Sequence, residues 1–227
     1  MDFNFKKIIK MNNNLKKELP LLAIIALPIF YLFYVWKKLP EKIPTHFNID
    51  GKIDSWGEKS SLILIVLLLP ILTYGLLLII PKIDPKKRID LMGRKYHQLK
   101  FILVSFMSIL ALFIIYISKE QTLSNLNMIL VLLGILFFAL GNYFKVIQQN
   151  YFIGIKTPWT LESKEVWKLT HILAGKLWTI GGILVIFFSL ILPATLNRYF
   201  FFTITGIITI VPIVYSYIKF KELKANN

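Results

Sequence analysis

The sequence predicts an all-α polytopic membrane protein with six transmembrane helices, both termini in the cytoplasm and a short interfacial helix before the fifth span. Three observations carry this. Of 227 residues, 56% are hydrophobic, above the roughly 45–50% typical of soluble domains. The excess is gathered in runs of about 18–20 residues, the length a helix needs to cross a hydrocarbon core of about 30 Å. The chain's 27 Lys and Arg residues flank those runs unevenly.

The spans fall at about 19–36, 62–80, 101–118, 126–144, 177–195 and 199–218. They divide the chain into a basic arm (1–18), a three-span half (19–118) with a loop at 39–60, and a second three-span half (119–227) with a polar block at 145–176. Period-2 alternation is missing, which argues against a β-barrel. The Lys/Asn-rich arm resembles the charged start of a signal peptide. The apolar run after it is too long and lacks a small-residue cleavage site, so it reads as an anchor. The arm, the second and fourth connections and the tail hold twenty Lys and Arg; the opposite side holds seven. Positive-inside bias then places the 145–176 block in the cytoplasm and the 39–60 loop outside.

Composition narrows function. Cysteine is absent, so disulfides and thiolate metal sites are unavailable. The net charge of +15 reads as flanking charge at anionic headgroups rather than nucleic-acid binding, because no nucleic-acid motif accompanies it. The twelve carboxylates lie outside the six runs, which argues against a proton-coupled pump. Intramembrane metalloproteases need His and Glu clusters within spans, and Ser105 and Ser108 have no His at their depth. No enzyme activity, catalytic residue, cofactor or metal is expected. A small-molecule transporter or channel is the alternative, for which the spans offer scattered Thr73, Tyr74, Ser105, Asn127 and Asn142.

Pro28, Pro70 and Pro212 are candidate kinks. Gly134 and Gly141, seven apart, share a helix face, and Gly181-Gly182 thins the fifth span. Such faces serve intramolecular packing or a dimer.

In the outer loop, Pro40 and Pro44 favour extended backbone and Asp50-Gly51 favours a tight turn, predicting a short hairpin or hook with Trp56 at the interface. His46, Asp50, Asp54 and Glu58 recur every four residues. On a helix they would share a face and suit a divalent ion, but Pro44 and Gly51 disfavour that helix. A structural hook and recognition of an external ligand are the other readings.

In the inner block, Asn150 to Gly154 suits a turn. Thr157-Pro158 suits an N-cap and first helical residue, with Thr160 as an alternative cap. A helix is predicted from Pro158 or Leu161 to Ala174, acidic early (Glu162, Glu165) and running on toward the fifth span. It serves either as an interfacial helix positioning that span or as a docking surface built from Trp159, Trp167, Thr170 and His171.

Two motifs extend this reading. Pro44-Thr-His46-Phe47-Asn48, then Gly51, Asp54 and Trp56-Gly57, resembles the P-x-H-F-N…G…D-x-W-G loop of an uncharacterised membrane-domain family. Asn150…Gly154-Ile-Lys156-Thr157-Pro158-Trp159-Thr160-Leu161…Val166-Trp167…Thr170-His171…Ala174-Gly175 resembles the signature of the SdpI family of bacterial membrane immunity proteins. Lys156 stands where that family usually has Arg, keeping charge without bidentate geometry, and Ile172 replaces a common basic residue. The resemblance implies a multi-pass protein of the bacterial cytoplasmic membrane that protects against a secreted membrane-active peptide toxin and relays to a cytoplasmic repressor. The lipid bilayer is then an obligatory partner and nucleic acid is not a direct one. The motif residues are the candidate ligand or partner contacts.

Overall fold

The computed structural model describes residues 2–48, 52–122 and 127–225, with side chains from Lys16 onward. The element order is α1 (Asp2–Val35), a 3-10 turn (Trp36–Lys38), β1 (Lys42–Phe47), β2 (Ile53–Glu58), α2 (Ser60–Ile83), α3 (Arg88–Leu91), α4 (Arg94–Glu120), α5 (Asn127–Phe144), α6 (Pro158–Glu162), α7 (Lys164–Ile191) and α8 (Ala194–Ala225). Six of these, α1, α2, α4, α5, α7 and α8, are long and apolar enough to cross a membrane.

At two places the helices depart from the sequence reading for a visible local reason. The fifth span was expected to reach Thr195, but α7 stops at Ile191. Pro193 explains this: proline forces its predecessor out of helical geometry, and Leu192 is extended at φ −88°, ψ 146°. The helix predicted to start at Pro158 or Leu161 is two helices. Ser163, at φ −112°, ψ 122°, breaks it and caps the second by accepting from the Val166 amide.

The chain forms two compact units. The first contains α1, the β-hairpin, most of α2 and the later part of α4. Its core is Leu32, Val35, Leu39, Ile43, Leu62, Val66, Ala111 and Ile115, all buried. Exposed apolar side chains such as Phe30 and Phe33 face outward from α1, as lipid contact requires. The hairpin is antiparallel and irregular at Pro44–Phe47. It is tied down by Lys59, which pairs with Glu41 at 2.6 Å and lies over the Trp36 ring.

The second unit contains α3, α5 to α8, the end of α2 and the start of α4. Its centre is the α5–α7 pair. A Cβ on Gly134 would lie 2.8 Å from Ile186 and 3.0 Å from the Gly182 carbonyl, and one on Gly175 would lie 2.9 Å from the Gly141 carbonyl. A Cβ on Gly141 or Gly182 would strike the facing backbone amide, of Thr179 or Phe138. Two glycines seven apart on each helix therefore let the backbones touch, the way helices associate where lipid removes the hydrophobic drive. The glycine face noted in the sequence is used within the chain. Phe137, Val185, Phe201, Ile204 and Ile208 fill the space toward α8, and Trp178 donates to the Ile208 carbonyl at 2.9 Å. At one end, buried Asn197 of α8 donates to Asn127 of α5 and Ser189 of α7.

Replacing Gly141 by Leu should abolish the monodisperse peak in detergent size-exclusion chromatography. Gly206→Leu should behave as wild type, because a Cβ at Gly206 meets nothing within 4 Å.

Candidate functional site

The inner block is the segment that links α5 to α7, and its polar groups are consumed in building it. Asn150 is 1% exposed. Its amide donates to the Gln148 and Ile153 carbonyls, and its oxygen accepts from the Phe152 and Ile153 amides. One side chain thus satisfies a turn that has no helix or strand to satisfy it. Thr157 caps α6: its hydroxyl accepts from the Thr160 amide, and the Thr160 hydroxyl accepts from the Thr157 amide. Pro158 is the first helical residue. Thr160, fully buried, also donates to the Ile155 carbonyl at 2.9 Å.

His171 latches this turn onto α7. Its Nε2 accepts from the Ile155 amide at 3.0 Å, so Nδ1 carries the proton and donates to the Trp167 carbonyl at 2.8 Å. The ring stacks on Trp167 with centroids 4.1 Å apart, and the Trp167 indole donates to the Ile147 carbonyl. Gly154 passes directly over this pair with φ +110°. A Cβ there would collide with His171 Nε2 and lie 3.2 Å from Trp167. Only glycine satisfies both the conformation and the approach.

Trp159 reaches across to α8, donating to the Ser216 hydroxyl and meeting Tyr217 edge-on at 5.2 Å. Thr170 is fully buried and its hydroxyl has no partner among the described residues. Lys156 is exposed, with its ammonium on the Phe152 carbonyl at 3.1 Å. The predicted residues Asn150, Gly154, Thr157, Thr160, Trp167 and His171 therefore converge, and their hydrogen bonds point into the fold.

Sequence reasoning missed Gln149 and Arg88. Buried Gln149 donates to the Thr160 and Leu161 carbonyls, while its oxygen and its own carbonyl receive Arg88 at 2.7 and 3.1 Å. Arg88 is held at the start of α3 because buried Asp84 accepts from the Lys86 and Ile89 amides. The adjacency of Gln149 to Asn150 was a usable signal. Nothing local pointed to Arg88.

The outer motif forms the hairpin. His46 Nδ1 and Asp54 Oδ1 are 2.5 Å apart on an exposed surface. Pro44 is opposite Trp56, which is about half exposed. Asn48 accepts from the Lys52 amide at 2.9 Å and closes the strands. Phe47 is half-buried. Gly51, and with it the expected Asp50-Gly51 turn, lies outside the described residues. Among those described, no three metal-ligating side chains come together. In the same unit a groove of about 500 Å³ runs between α1 and α2, lined by Ile29, Phe33, Trp36, Ile63 and Leu67.

Comparison with known proteins follows these two features. Residues 146–216 match the SdpI/YfhL protein family, and residues 23–72 match a domain of unknown function, DUF1648. The chain is 29% identical over 174 residues to the immunity protein SdpI of Bacillus subtilis (strain 168), covering 75% of this chain and 80% of that protein. No solved structure matches. The similarity to the SdpI/YfhL family thus falls on the inner block, α7 and part of α8, and the chain is a multi-pass bacterial membrane protein.

Gly154→Ala should destabilise the protein by about 2 kcal/mol or more, through a strained φ and a clash with His171. The measurement is a lowered midpoint of thermal unfolding in detergent.

Proposed function

We propose that this is an integral membrane immunity protein, which protects its cell against a secreted membrane-active peptide toxin. The carrying observation is that one chain bears both matched regions and is 29% identical, over 75% of its length, to a protein named for immunity. The structure supplies compatible surfaces. The β1–β2 hairpin offers Trp56, His46 and Asp54 to the surroundings and shares its unit with the apolar groove beside Trp36. Amphipathic peptides bind such surfaces through aromatic anchors and apolar clefts. Pro44, Phe47 and Asn48 set the hairpin's shape.

In this reading both termini are cytoplasmic, as the distribution of Lys and Arg favours. The inner block then lies at the cytoplasmic face, and exposed Lys156, Pro158, Glu162 and Glu165 form the surface open to a cytoplasmic repressor. Asn150, Gly154, Thr157, Thr160, Trp167, Thr170 and His171 hold that surface in place; Trp159 ties it to α8. Of the polar residues named for the transporter reading, three are spent on the fold: Thr73 donates to Leu69, Asn142 to Phe138 and Asn127 to Leu192, each a backbone carbonyl of a helix or helix end.

The test is expression in a sensitive host, challenged with the secreted peptides encoded beside the gene. Wild type should raise the peptide concentration needed for killing. Trp56→Ala should lower that protective concentration about tenfold at unchanged membrane abundance, as loss of one aromatic anchor at a binding surface implies. Unaltered killing by every such peptide contradicts immunity. Orientation is checked on single-cysteine variants, since the chain has no native Cys. An impermeant thiol reagent should label Ser55→Cys in intact cells and Lys221→Cys only after lysis.

A further inference from the structure

A cavity of about 400 Å³ opens in the second unit where α5 ends and α7 begins. Its cationic wall is Arg88, Lys145, Lys164 and Lys168; its floor is Phe144, Trp167 and His171. No carboxylate lines it. Among the described residues, Lys145, Lys164 and Lys168 have no acidic partner, although Glu162 and Glu165 lie close in sequence. Four like charges around one cavity repel each other, and of the four only Arg88 is engaged by the fold, through Gln149.

The wall is also preorganised. One guanidinium nitrogen of Arg88 donates to both the carbonyl and the side-chain oxygen of Gln149. Gln149 is fixed in turn by its two bonds to the α6 carbonyls. The remaining Arg88 donors have no partner among the described residues. Lys164 and Lys168 are one turn apart on α7, and the Lys145 stem packs over Gly175. A fixed fork of donors with flexible ammonium groups around it suits a group carrying several negatively charged oxygens. The apolar floor adjoins the hydrocarbon-length parts of α5 and α7, so a molecule with a charged head and an apolar part can fill both.

We infer that this cavity binds a phosphate group, either the headgroup phosphate of an anionic phospholipid or phosphate from solution. The site is independent of the toxin assignment. It would hold its ligand against the Arg88–Gln149 clamp that links α3 to α6, so occupancy should stabilise this unit.

The test uses the full-length protein in phosphatidylcholine nanodiscs, with phosphatidylglycerol added in steps or inorganic phosphate titrated against equal ionic strength of chloride. The readout is the unfolding midpoint. Wild type should show a saturable rise. The K145Q/K164Q/K168Q variant keeps polar side chains at these exposed positions and removes three charges, so it should fold, and its half-saturation should weaken about tenfold or more. The K219Q/K221Q/K224Q variant, which loses three charges from the end of α8, should retain the wild-type response. A response to phosphatidylglycerol alone assigns a lipid headgroup; one to inorganic phosphate assigns a soluble ligand. The proposal is overturned if neither probe shifts wild type, if the pocket variant responds like wild type, or if the α8 variant loses the response equally.

Discussion

The close backbone contact between α5 and α7 is the constraint on which the second unit depends. In lipid the apolar surfaces of two helices gain little by leaving one solvent for another, so association rests on dispersion contact and hydrogen bonds. Gly134 and Gly141 on one side and Gly175 and Gly182 on the other bring the two main chains within contact. That contact fixes where α5 releases the chain and where the first turns of α7 must receive it. The inner block bridges these two points. Its conformation is a consequence of the helix pair as much as of its own sequence.

Such a bridge is costly to place beside a membrane. Irregular backbone leaves amides and carbonyls that helices would have paired, and each unpaired group is penalised near apolar surroundings. The block meets this demand with a few side chains of high bonding capacity. Asn150 makes four hydrogen bonds, Gln149 bridges α6 to Arg88, and His171 joins the turn to the helix that follows. A signature rich in Asn, Thr, Trp and His thus need not describe a catalytic or ligand-binding centre. Here those side chains supply the hydrogen bonds that a non-helical bridge lacks. The groups left over for an external partner are the exposed cations and the residues at the edge of α6.

Much of this was legible in the sequence because its signals were local. The six apolar runs, the glycines at seven-residue spacing, the prolines of the hairpin and the Thr157-Pro158 start each depend on a few neighbouring residues. What was not legible was set by competition or distance. Ser163 could continue a helix or cap one, and its capping of Val166 prevailed. The end of α7 needed Pro193 to be weighed against a still apolar sequence. Arg88 comes from another connection and joins Gln149 only because α3 and the inner block pack together. The basic cavity has the same origin: its four cations come from three separate stretches of chain, and sequence alone read them as topology charges.

The molecule is therefore a self-sufficient scaffold with surfaces displayed on it. Its segment from Asn150 to His171 is built by its own hydrogen bonds and needs no ligand to form. Hydrogen–deuterium exchange of the protein alone in nanodiscs tests this most directly. The account predicts that the amides of Phe152, Ile153, Ile155 and Thr160, each bonded within the block, exchange nearly as slowly as the first turns of α7. Free exchange at these amides, with protection appearing only when a ligand or partner is added, would contradict it.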